Sequence, residues 1–149
     1  MNYRKFFRII FSIIAVLYIN QKAEALCYGD ADHPIHPSIE KEYKSSRFVV
    51  EGAVLVEQRV SSPDDPMGYE KMLYTIEIAR IFKGNPKHKI TIYSLNNSAG
   101  FPMYLGTNYI IFAQEDDDGL FIDNCGNSGE TKKLSNTILK ITTLSRHDK

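Results

Sequence analysis

Apolar positions recur along this chain with two different periods. From 48 to 60 they alternate, with Val50, Gly52, Val54 and Val56 on one face, which predicts a strand. Gly52 inside that run predicts a bulge or a sharp coil. Alternation returns over 71–82, where Met72, Tyr74, Ile76 and Ile78 interleave with Leu73, Thr75 and Glu77. It returns again over 88–94, where Ile90 and Ile92 share a face. A fourth strand is predicted over 108–114 and a short fifth over 120–123. Turn chemistry separates them: a loop at 61–68 with Pro63 and Pro66, Lys83-Gly84-Asn85-Pro86, a loop at 95–102, Gly106-Thr107, and Asp116-Asp117-Asp118-Gly119. Near the C-terminus the period becomes helical. Leu134, Ile138, Ile141 and Leu144 line one face of an amphipathic helix of about three turns. The β-branched Thr137, Thr142 and Thr143 lower its intrinsic propensity.

Ahead of the first strand, Pro37-Ser38 opens a polar stretch, 39–44. Glu40 and Glu42 come early in it, as suits the first turn of a short helix. Residues 28–37 carry two prolines and a glycine and read as an extended leader. Five close-spaced strands between a short N-terminal helix and a C-terminal helix predict a mainly β protein. The five-stranded Greek-key barrel called the OB-fold fits that order.

The first 25 residues have another character. Arg4, Lys5 and Arg8 precede the apolar run 9–19, broken only by Ser12, and Ala23-Glu24-Ala25 follows as an A-x-A site. This is the layout of a secretory signal peptide, and the run is too short for a membrane span. Cleavage after Ala25 removes 25 of 149 residues and leaves 124, one ordinary domain. The expected organisation is a signal peptide, 1–25, a single domain, 26–145, and a disordered polar tail, 146–149. The segment removed takes four of 18 basic and one of 18 acidic residues. That leaves 14 against 17, a net charge of −3. A chain built to hold a phosphate backbone is normally basic, so nucleic acid is not expected as a partner. The mature chain is expected to be secreted or periplasmic, without a membrane span.

Both cysteines, Cys27 and Cys125, lie in the exported part. An even count in an oxidising compartment favours a disulfide over two buried thiols, and two cysteines allow a single connectivity.

The order of segments resembles the netrin-like module, whose members include the tissue inhibitors of metalloproteinases. The matching pieces are His36-Pro37, Val49-Val50-Glu51-Gly52-Ala53-Val54, Tyr74-Thr75-Ile76-Glu77-Ile78, and Ile81-Phe82-Lys83-Gly84-Asn85. They continue through Ile90-Thr91-Ile92-Tyr93 and the stretch from Leu105 to Ala113, then Gly119-Leu120 and Cys125. The resemblance covers most of 27–125. It implies the OB-fold and sets Cys27 and Cys125 at the positions of that family's second disulfide. Its first disulfide has no counterpart: Ala25 stands at the first cysteine and Ala99-Gly100 at its Cys-Gly partner. The inhibitors chelate the protease zinc through the amine and carbonyl of that first cysteine. A chain beginning Leu26-Cys27 lacks this group, so inhibition by chelation is not expected.

Other side chains suggest chemistry only weakly. Asp30, Asp32, His33 and His36 form the one His/carboxylate cluster, but an extended leader gives a metal no defined directions, and neither metal nor cofactor is expected. No Gly-x-Ser-x-Gly elbow appears, and His88 has no carboxylate close in sequence, so the chain is not expected to be an enzyme. Lys83, Lys87, His88 and Lys89 read as a solvated basic turn, and Glu115 to Asp118 as hairpin chemistry. Asn96-Asn97-Ser98 is a glycosylation sequon, relevant in a eukaryotic host. The expected function is non-enzymatic binding of an extracytoplasmic protein. Leu26, Cys27, Tyr28, His33 and His36 of the leader would present the surface together with loops 61–68 and 95–102. A protease (metalloendopeptidase) inhibitor acting without chelation is the first alternative and a small secreted hydrolase the second.

Overall fold

The computed structural model describes residues 36–64 and 68–148. The leader residues Leu26, Cys27, Tyr28 and His33, the signal segment and Asp30 and Asp32 lie outside the described residues.

Helix α1 (Ile39–Ser45) begins where Ser38, in extended conformation, accepts the Lys41 N–H at 3.2 Å. It ends at Ser46, whose N–H and Oγ both donate to the Glu42 carbonyl, at 2.8 and 2.7 Å. Six strands follow: β1 (Phe48–Ser61), β2 (Tyr69–Lys83), β3 (Lys89–Leu95), β4 (Asn108–Asp116), β5 (Gly119–Phe121) and β6 (Gly129–Glu130). A 3-10 turn (Thr131–Lys133) leads into helix α2 (Ser135–His147).

The protein is mainly β, and five of its strands close a ring. β1 pairs with both β2 and β4, β2 with β3, β3 with β5 and β5 with β4. All these pairings are antiparallel except β3–β5, a single parallel bridge at Tyr93 and Phe121 extended by the Ile122 N–H to Tyr93 O bond. One helix precedes the ring and one follows it. The two-residue β6 lies against β4, opposite Tyr109 and Ile110, and was not predicted.

Alternation sorts the strand residues into two cores. Val50, Val54, Tyr74, Ile76, Ile78, Ile90, Ile92, Tyr109, Ile111 and Ala113 fill one inside the ring. Val49, Phe82, Ile110 and Phe112 point outward and meet Tyr43 of α1 and Ile141 of α2 in the second. β4 is therefore buried on both faces, which is why Tyr109 to Ala113 reads as an unbroken apolar run. Ile141 is fully buried, with Leu134, Ile138 and Leu144 packed around it, as the helical spacing predicts. Thr142 and Thr143 return their hydroxyls to the carbonyls of Ile138 and Leu139, so they fit the helix despite their branching. α2 continues through Arg146 and His147, two positions into the segment expected as a tail.

Val56 departs from expectation. The register of β1 against β2 shifts at Val49/Val50, at Glu51/Gly52, as the glycine predicts, between Val54 and Val56, and at Val60/Ser61. A Cβ on Gly52 would lie 2.5 Å from the Glu77 carbonyl oxygen, so the shift at Gly52 needs glycine. The shift between Val54 and Val56 turns the strand so that Val56 is 51% exposed rather than inward. There β1 also leaves β4, since their ladder stops at Ala53.

Candidate functional site

The only described residue of the predicted leader surface is His36. Its Nδ1 donates to the Cys125 carbonyl at 3.0 Å. Just beyond, Asn127 grips the start of α1. Its backbone N–H and its Nδ2 each lie 2.6 Å from Glu42 Oε2, and Nδ2 also donates to the Pro37 carbonyl at 2.9 Å. Glu42 is 5% exposed. Burial pushes its carboxyl above the ordinary range, against the pull of the Asn127 donors; Asp123 adds to the rise and His36 opposes it. A Cβ on Gly126 would collide with this carboxylate, so the turn passes close only because a glycine is there. The Ser128 hydroxyl accepts the Phe112 N–H at 2.9 Å and pins the far end of the loop to β4.

The same loop reaches the second predicted element. The Asn124 N–H donates to the Ala99 carbonyl at 2.9 Å, tying the loop at 123–128 to that at 95–102. Ala99 is the position where the family resemblance expects a cysteine, and here a backbone hydrogen bond holds it. Loop 95–102 is further fixed by Ala99 N–H to Asn97 Oδ1 and Phe101 N–H to Ser94 Oγ. The hydroxyls of Tyr74 and Tyr109 take the N–H groups of Met103 and Tyr104. Asn96 joins it to the root of the third element: its N–H donates to the Glu70 carbonyl and its Nδ2 to that of Tyr69, each at 2.8 Å. An open cleft of about 250 Å³ lies between them, with Tyr69, Met72, Tyr74 and Phe101 as its apolar lining and Asn96 and Asn97 at its polar side. His36, loop 123–128, loop 95–102 and the root of loop 61–68 therefore form one continuous edge.

Other candidates are dispersed by the fold. Lys83 does not belong to a solvated basic patch. Its Nζ donates to the carbonyls of Tyr43, Lys44 and Ser46, at 2.7, 2.7 and 2.8 Å, and closes the C-terminus of α1. His88 does have a carboxylate: Glu77 faces it from β2 at 3.5 Å, and Lys89 shares that acid at 3.8 Å. All three are exposed, and among the described residues no hydroxyl is hydrogen-bonded to a histidine ring. Asp116 caps its own turn through the N–H groups of Asp118 and Gly119 and accepts the Tyr93 hydroxyl. That hydroxyl holds the Asp116 carboxyl below its ordinary range. Burial and the same acid push the Tyr93 phenol up. Glu115 pairs with Arg47 and Asp118 with Lys71, so turn chemistry accounts for the acidic run.

Among the described residues no group of three His, Cys, Asp or Glu side chains could hold a metal ion, and no helix is long and apolar enough to cross a membrane. The predicted staple between Cys27 and Cys125 has one end outside the described residues. Sequence reasoning missed Glu42, Asn124, Asn127 and Ser128, because each acts on a group far away in the chain. Compared with protein-family models and with curated proteins, the chain gives no match.

Proposed function

We propose that this chain is an exported, non-enzymatic protein-binding domain of the netrin-like type, built on the OB-fold. The ring order β1-β2-β3-β5-β4, closed by β1–β4, supports the OB-fold reading. So do the helices at its two ends. The observation that carries the functional reading is the bridging loop at 123–128. It binds His36 and Pro37 on one side and Ala99 on the other, so His36-Pro37 and loop 95–102 share one edge. A surface assembled from His36-Pro37 and the hydrogen-bonded loop 95–102 beside an open cleft suits an extended or looped segment of another protein. In this reading residues 1–25 are the signal peptide, and a Cys27–Cys125 disulfide fixes the leader at that edge. Exported proteins support such a bond, and the partner is met in the periplasm or outside the cell.

The test is paired capture from the native envelope or secretome. Wild-type protein should retain one defined protein, and substitutions at Ser98 and His36 should lose it, whereas Leu139→Glu on the exposed side of α2 should not. Equal capture by all variants would reject this surface. The purified chain should leave zinc proteases uninhibited and should not turn over generic ester or phosphate substrates. Inhibition or turnover that scales with protein concentration would replace the binding reading with one of the alternatives.

A further inference from the structure

Half of β1 lies outside the ring. β4 pairs with β1 only as far as Ala53, and Val54 makes the last contacts on that side, with Gly106 and Thr107. From Val56 to Ser61 the strand still pairs with β2. Among the described residues no strand covers its other edge. Exposed strand edges are normally blunted by proline, by charged side chains, lysine above all, by bulges or by covering elements; here register shifts at Val54/Val56 and Val60/Ser61 leave 56–60 in regular pairing between them. The run Val56-Glu57-Gln58-Arg59-Val60-Ser61 has no proline and no lysine. Leu55 and Val56 are exposed at its start, and Tyr104 and Leu105, 64% and 55% exposed, stand beside them across the Gly106–Val54 hydrogen bond.

This edge is complementary to itself. Turned about a twofold axis at Gln58, an antiparallel copy sets Val56 opposite the partner's Val60, Glu57 opposite the partner's Arg59, and Gln58 opposite the partner's Gln58. Directly opposed residues of an antiparallel pair share a face and interact, so each seam gains two apolar pairs and two opposite-charge pairs. Among the described residues neither Glu57 nor Arg59 forms an ion pair, and the Arg59 guanidinium rests 5.2 Å from the ring centre of Tyr69. We infer that the outer half of β1 pairs with the same segment of a second copy, forming a twofold dimer through one continuous sheet. A single short strand seam lies at the weak end of protein interfaces, so the dimer is concentration-dependent. This edge borders the binding surface proposed above, because Arg59 rests on Tyr69, which lines its cleft, but the inference stands on the open strand edge and not on that surface.

Sedimentation equilibrium of the full chain, expressed for export, tests it across a concentration series. The wild type should run as a monomer–dimer equilibrium. Glu57→Arg and Arg59→Glu each turn two attractive pairs into repulsive ones and should weaken the dimer about tenfold or more. The double variant E57R/R59E restores opposite charges and should recover most of the wild-type affinity. Glu57 and Arg59 are both exposed, so circular dichroism should show an unchanged fold. A wild type that stays monomeric at every concentration overturns the inference. So do single variants that dimerise like wild type, or a double variant that fails to recover.

Discussion

Replacing Lys83 with methionine keeps the apolar stem and removes the ammonium. The Lys83 Nζ serves three carbonyls at the end of α1, those of Tyr43, Lys44 and Ser46. Two of these contacts are partly buried and the one to Lys44 is exposed. A net hydrogen bond to a charged group contributes about 1.5–3 kcal/mol. Water replaces the exposed contact at little cost, so the loss falls on the two partly buried bonds, about 3–6 kcal/mol at most. For a domain of this size that lowers Tm by on the order of 10 °C. Urea and thermal unfolding followed by circular dichroism give both numbers. Lys87→Met is the control, since Lys87 is exposed on the same turn and should change stability by less than about 0.5 kcal/mol. If Lys83→Met behaves like Lys87→Met, water serves the α1 carbonyls equally well and the argument for this cap is wrong.

Glu42 gives a pH prediction. Its folded carboxyl titrates above the ordinary 4.5, so the native state holds its proton more tightly than the unfolded chain. The Glu42 contribution to stability therefore falls as pH rises through the interval between those two values and is constant outside it. Glu42→Gln should remove that slope from a series of urea midpoints; parallel curves for the two proteins would refute it. Gly84 sits at φ +79°, and a Cβ there would lie 2.6 Å from the Phe48 ring and 2.9 Å from the Arg47 carbonyl oxygen. Gly84→Ala should cost about 1–3 kcal/mol in chemical denaturation, and a neutral result would mean the turn relaxes freely. If Cys27 and Cys125 are joined, Cys27→Ser and Cys125→Ser should each cost about 2–5 kcal/mol, and the double variant no more than the worse single. Additive losses would point to two separate thiols.

Strand residues were legible because burial follows the pleat. Tyr74, Ile76, Ile78, Ile90 and Ile92 all turn inward as their alternation predicts. The C-terminal helix was legible for the same reason, through Leu134, Ile138, Ile141 and Leu144. Val56 was misread because a register shift resets the alternation, and a shift leaves no periodic signal of its own. β6 has two residues, too few for any period, and exists only because β4 offers an edge at Tyr109 and Ile110. Of the expected leader surface only His36 is described, and the bonds that fasten it and loop 95–102 were not legible. Glu42 and Asn127 are 85 positions apart and Lys83 lies 37 to 40 from the carbonyls it caps. A polar residue that serves a distant backbone group looks, in sequence, like any solvated one.

The central claim is that a second protein docks on the edge running from His36 through loop 95–102. A photo-crosslinking residue at Ser98, which is exposed on that loop, tests it in cells exporting the chain. The same probe at Leu139, 70% exposed on α2, is the comparison. Irradiation should give one discrete adduct with another extracytoplasmic protein from Ser98 and none from Leu139. An adduct from Leu139 and none from Ser98 would contradict the account.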